Sequence, residues 1–146
     1  MADFVYNIAK GAVAEMYRDG AANGIVLLLK AAEADSALRD HDNLSVLIGA
    51  AGNIEADFTN YARKTGLTGT VTVDDTNDRV DVDIPDQTWT AAGGASNNTL
   101  TDAIVAYENS AADTGRVPQT NHDFAVTTDG SDLTIQFNAS GFFRAS

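Results

Sequence analysis

Near the start of the chain, apolar residues recur at Phe4, Ile8, Ala12 and Met16, with Val5, Ala9 and Val13 beside them. A spacing near four predicts an amphipathic helix from Phe4 to Arg18, weakened at Gly11 by roughly 1 kcal/mol relative to alanine. The turn-forming stretch Asp19-Gly20-Ala21-Ala22-Asn23-Gly24 ends it. The next run, Ile25 to Leu29, is apolar at every position, and its length fits a strand buried on both faces. Between Ala31 and Gly49 a helical period returns in two short pieces, Ala31, Ala34 and Leu38, then Leu44, Leu47 and Ile48. Asp42 or Asn43 is placed to cap the second piece.

From Phe58 onward the period is two. Thr70-Val71-Thr72-Val73 and Arg79-Val80-Asp81-Val82-Asp83-Ile84 flank Asp74-Asp75-Thr76-Asn77-Asp78. They predict a β-hairpin with Val71, Val73, Val80, Val82 and Ile84 inward and the threonines and aspartates outward. Pro85 ends that strand or sits on a sheet edge, and Gln87 to Thr90 is extended again. The small, polar stretch from Ala91 to Asn98 reads as a loop, and Ala103 to Tyr107 as a second buried strand. Glu108 to Gln119 reads as a long exposed connection. Phe124 to Thr127 and Leu133 to Phe137 then flank Asp129-Gly130, a pair that supplies the positive φ of tight turns, so a second hairpin is expected. With no internal repeat and no proline-rich linker, residues 1–146 read as one domain.

Composition narrows the chemistry. The apolar fraction of 44% is that of a folding globular chain, and 146 residues suffice for one core. With no cysteine, thiolate chemistry and disulfides are out of reach. A net charge of −12 repels nucleic-acid phosphates, so no direct nucleic-acid partner is expected. The longest apolar run is far too short to cross a bilayer, and the first residues lack a basic leader region, so neither membrane insertion nor a secretory signal is expected.

His41 and His122 each stand beside aspartates, a setting for a general base or a metal ligand, but their spacing matches no metal or nucleophile motif and both are expected as loop or cap residues. Asp74, Asp75, Asp78, Asp81, Asp83 and Asp86 form an acidic cluster. Its tip offers part of the oxygen shell that Ca²⁺ requires, while the glycine and closing glutamate of an EF-hand are missing. The other reading of the cluster is a solvated turn whose acidic face suits basic partner surfaces. Trp89 with Asp74, Asp75 and Asp78 would serve a carbohydrate- or Ca²⁺-dependent adhesion module. No phosphate-cradling glycine loop occurs, and neither a cofactor nor a catalytic activity is expected. Near the other terminus, Phe142-Phe143-Arg144 follows Gly141. Two adjacent aromatics in an extended segment cannot both face one core, so one of them is expected to dock on a neighbouring chain.

Three stretches together resemble a family of small structural proteins of tailed-bacteriophage virions, the head-decoration or cement-like proteins. They are Ala2-Asp3-Phe4-Val5-Tyr6-Asn7-Ile8-Ala9-Lys10-Gly11, Asp74 to Val82 continuing through Trp89-Thr90, and His122-Asp123-Phe124-Ala125-Val126-Thr127 through Gly141-Phe142-Phe143-Arg144-Ala145-Ser146. The chain departs from the family pattern in being compact after the first helical stretch and before Asp74. The resemblance implies a virion component present in many copies. Its partners would be the major capsid protein and copies of itself, as a dimer or trimer, at capsomer junctions on the capsid exterior, after synthesis in the host cytoplasm. A tail or head-tail junction position is the alternative. The fold expected is α+β, mainly β, with a β-sandwich or barrel-like core and a short N-terminal helical segment. The contact residues expected are Tyr6, Lys10, Phe142, Phe143 and Arg144.

Overall fold

The structure, a computed structural model, describes residues 3–6, 13–17 and 20–145. The fold is α+β and mainly β, with every strand pairing antiparallel. Its centre is β2 (Gly24–Ala31) against β8 (Asp102–Glu108), in register from Gly24 opposite Tyr107 to Leu29 opposite Asp102. Residues 24–29 and 102–107 are buried without alternation, because layers cover both faces of these strands. That is why Ile25 to Leu29 is apolar throughout. On the far side of β8 lies β9 (Arg116–Asp123) and then β1 (Phe4–Val5). On the far side of β2, β4 (Lys64–Leu67) pairs with its first half and β3 (Ile54–Glu55) with its second.

Two smaller sheets complete the β structure. The expected hairpin is present as β5 (Thr70–Asp74) and β6 (Arg79–Asp83), with β11 (Phe143–Ala145) on the other side of β6. A two-stranded sheet pairs β7 (Gln87–Trp89) with β10 (Leu133–Ile135). Among the described residues three short α-helices, α1 (Val13–Tyr17), α2 (Asp35–Leu38) and α3 (Leu44–Gly49), and a 3₁₀ turn at Asp113–Gly115 connect the strands. Asn43 caps α3 as its position predicts, its side chain accepting from the Val46 N–H at 3.0 Å. One buried cluster joins Tyr6, Tyr17, the two central strands, Leu38, Leu44, Leu47, Trp89, Phe142 and Phe143.

Three expectations fail. The helix from Phe4 to Arg18 does not form as a unit, because Phe4 and Val5 pair with Asn121 and Thr120 as an edge strand and only Val13–Tyr17 is helical among the described residues. The polar stretch from Glu108 to Gln119 is an exposed connection only in part: residues 109–112 are exposed, but from Arg116 the chain is a strand. It contributes β9, where Gln119, Thr120 and Asn121 are buried. Each makes a side-chain hydrogen bond: Gln119 accepts from the Tyr17 hydroxyl at 3.1 Å, Thr120 pairs with His122 at 2.9 Å, and Asn121 donates to Asp102 at 2.8 Å, with Asn121 Oδ1 left unpartnered among the described residues. Pro118 is tolerated because the register slips there, with Thr120 opposite Val105 but Pro118 opposite Ala106. Finally, Asp129-Gly130 does turn, with Gly130 at φ 97° and Asp129 accepting from the Ser131 N–H at 2.9 Å, but its flanks part. Leu133–Ile135 pairs with β7, while Val126 and Phe124 bond to Leu100 and Thr101.

Candidate functional site

Of the expected contact residues, Tyr6, Phe142 and Phe143 are buried in the protein's own interior. Tyr6 is fully buried, its N–H donating to the Gln119 carbonyl at 3.0 Å and its ring 5.2 Å from that of Phe4. Burial raises its hydroxyl pKa, and nearby Asp102 adds to the rise. Lys10 lies outside the described residues. Phe142 and Phe143 are both buried, which corrects the expectation that one must face away. Strict alternation holds only in an extended segment, and the chain instead bends at Gly141, φ 83°. Phe142 therefore precedes β11. Its N–H donates to Val82 at 3.0 Å and its ring meets Tyr17 edge-on at 5.8 Å, while Phe143 follows in β11 opposite Val82. A Cβ at Gly141 would collide with the Val82 carbonyl.

Arg144, with its side chain 41% exposed, is the exception. It lies opposite Asp81 and its Nε donates to Oδ1 at 2.6 Å. Asp81 was expected to face water, yet it is buried to 8% exposure, held between Arg144 and Arg79. Two guanidiniums make that burial affordable. Pleat parity places Thr70, Thr72, Asp74, Arg79, Asp81, Asp83 and Arg144 on one face of this sheet and Val71, Val73, Val80, Val82, Phe143 and Ala145 on the other. The polar face borders an open groove of about 640 Å³ whose walls include Asp75 and Asp83. Burial, then Asp86, raises the Asp83 pKa. The apolar face outruns the core at its tip: Val82 is buried, but Val73 is 65% exposed, correcting its expected inward position.

The other acidic-cluster readings lose their residues to local structure. Asp74 closes the hairpin turn, accepting from the Thr76 and Asn77 N–H groups at 3.2 Å and from the Asn77 amide at 2.7 Å, and the Asn77 bond leads in lowering its pKa. Trp89 cannot be a stacking platform for sugar. It is 2% exposed and its indole N–H donates to the Ala62 carbonyl at 2.8 Å. His41 is a structural tie, its Nε2 2.8 Å from Glu33, whose backbone and carboxylate both bond to Asn53. Among the described residues, no group of three or more His, Asp or Glu is arranged to hold a metal ion.

A second groove, of about 470 Å³, opens beside β1 and β9. It contains an alignment that no sequence motif signals: Thr120 Oγ1 is 2.9 Å from His122 Nε2, and His122 Nδ1 is 3.4 Å from Asp3. The atom order is that of a nucleophilic triad, but its cause is simpler. Residues two apart on a strand share a face, so the pleat alone makes Thr120 and His122 neighbours. Thr120 lines the groove but is 2% exposed. Burial lowers the His122 pKa against the pull of Asp3.

No family model, curated protein or solved structure matches the chain.

Proposed function

We propose that this chain is a structural virion protein that binds the outer surface of a phage capsid at capsomer junctions and stabilises the head. Its partners are the major capsid protein and further copies of itself in a dimer or trimer. The observation that carries the reading is the β5–β6 hairpin, which presents an acid-walled groove on one face and an uncovered apolar tip on the other. A chain of net charge −12 stays dispersed through self-repulsion until it meets a basic surface. Repetition over a symmetric shell then sums contacts too weak to hold singly. The resemblance to decoration proteins supplies the shell, and the reading requires no catalytic step and no cofactor.

Counting copies per purified particle tests it. Hundreds of copies, released together by treatments that also weaken the head, are the expected result. Six or twelve copies would instead place the chain at the tail or head-tail junction.

A further inference from the structure

We infer that the free edge of β5 is a docking site for an extended, lysine- or arginine-bearing segment of a partner protein, which adds to the β11-β6-β5 sheet as a fourth strand. The inference rests on the reading that the chain works by surface contact and names the chemistry of the partner.

Hydrogen-bond phase shows which groups are free. Val82 accepts from the Phe142 N–H, so its backbone groups point toward β11 and away from β5. Val82 lies opposite Val71, and Val80 opposite Val73, which makes both narrow pairs without mutual hydrogen bonds. The N–H and C=O groups of Val71 and Val73 therefore point outward from the hairpin, and no backbone partner meets them among the described residues. Edges of this kind are usually blunted by lysine, proline or a bulge. Thr70–Asp74 has none of these and pairs with β6 in unbroken register.

The two faces dictate the visitor's pattern. A strand laid along β5 continues the pleat, so alternate side chains fall beside Val71 and Val73 on one face and beside Thr70, Thr72 and Asp74 on the other. Val73, the most exposed large apolar side chain among those described, calls for an apolar neighbour. Asp75 and Asp83 call for cations. The complementary segment thus alternates apolar and basic residues. A second copy of the chain fits poorly, since it would bring the same acidic rim against itself at −12 charge apiece. A five-residue edge also makes a weak contact alone, as suits a site used many times over on one assembly.

The test uses the full chain, labelled for amide NMR, with two short synthetic peptides, one alternating lysine with valine and one alternating glutamate with valine. The lysine peptide is expected to shift the Val71 and Val73 amides and slow their hydrogen exchange, more strongly at low salt, and the glutamate peptide to do neither. Val73→Pro removes an outward N–H that the hairpin does not use, so the fold should persist while affinity falls by about tenfold or more. Asp75→Asn, which leaves the backbone intact, should flatten the salt dependence. Equal binding of both peptides, shifts confined to other strands, or undiminished binding by folded Val73→Pro would overturn the inference. So would concentration-dependent protection of Val71 and Val73 without peptide, which would assign the edge to a second copy. Any of these could occur with the chain still found on particles, so failure here is distinct from failure of the virion reading.

Discussion

Gly141 is where one methyl group should do the most damage. At φ 83° the left-handed region costs an alanine roughly 1–2 kcal/mol. The added Cβ also overlaps the Val82 carbonyl, a backbone group that cannot rotate away. Relief requires the segment to lift, which breaks the Phe142 N–H bond to Val82, about 1 kcal/mol, and partly exposes Phe142 and Phe143, each worth about 1.5–3 kcal/mol when fully buried. Gly141→Ala should therefore lose about 3–5 kcal/mol. Gly20→Ala is the control. Gly20 has φ 68° but open space around its Cβ position, so only the conformational cost applies, about 1 kcal/mol once the stiffer unfolded chain is credited. Urea melts of both variants should differ by about 2 kcal/mol or more, and thermal midpoints by roughly 8 °C at this chain length. Equal losses in the two variants would refute the claim that the bend at Gly141 is what turns both aromatic rings inward.

Asp102 gives a pH prediction with a definite sign. It is fully buried, one oxygen held by the Asn121 amide and the other without a hydrogen-bond partner, and burial raises its pKa, with Asp123 and Asp35 adding to the rise. A carboxyl that holds its proton more tightly when folded contributes stability that is full below about 3.8, its ordinary value, and that is lost as pH climbs through the raised one. Asp102→Asn removes that dependence, so the stability difference between variant and wild type should grow in the variant's favour as pH rises; a constant difference across pH 3–8 would refute it. Arg63 bridges Glu55, through two bonds of 2.7 Å, and Asp113, so Arg63→Ala should lose about 1–3 kcal/mol in denaturant melts, because partly buried Glu55 loses its guanidinium and keeps only the Tyr61 hydroxyl, while Asp113 keeps Arg116. Trp89→Phe should lose about 1–3 kcal/mol from the indole bond to Ala62 and the vacated volume, and it should abolish the tryptophan fluorescence change on unfolding, since the chain has one tryptophan.

What could be read in advance were the segments whose pattern reports their burial directly. Ile25 to Leu29 and Ala103 to Tyr107 are apolar at every position because both faces are covered, and the β5–β6 hairpin announces itself by alternation around a turn. β9 escaped because its buried side chains are polar and bond to Tyr17 and Asp102, which hydropathy cannot register. The partner of β10 escaped for a related reason: the Asp129-Gly130 turn is local, whereas pairing with residues 87–89 is decided by tertiary packing. At the candidate site, aspartates could be counted but not placed. Nothing in the spacing shows that Asp81 is buried between Arg79 and Arg144, that Trp89 faces inward, or that Val73 stands beyond the end of the core.

The proposed role is that of one of many copies on a capsid exterior. Electron cryomicroscopy of intact phage particles decides it. Density matching this fold is predicted on the outer shell at capsomer junctions, with the β5–β6 hairpin against a basic surface of the capsid protein. Purified particles that lack the chain altogether would contradict the claim.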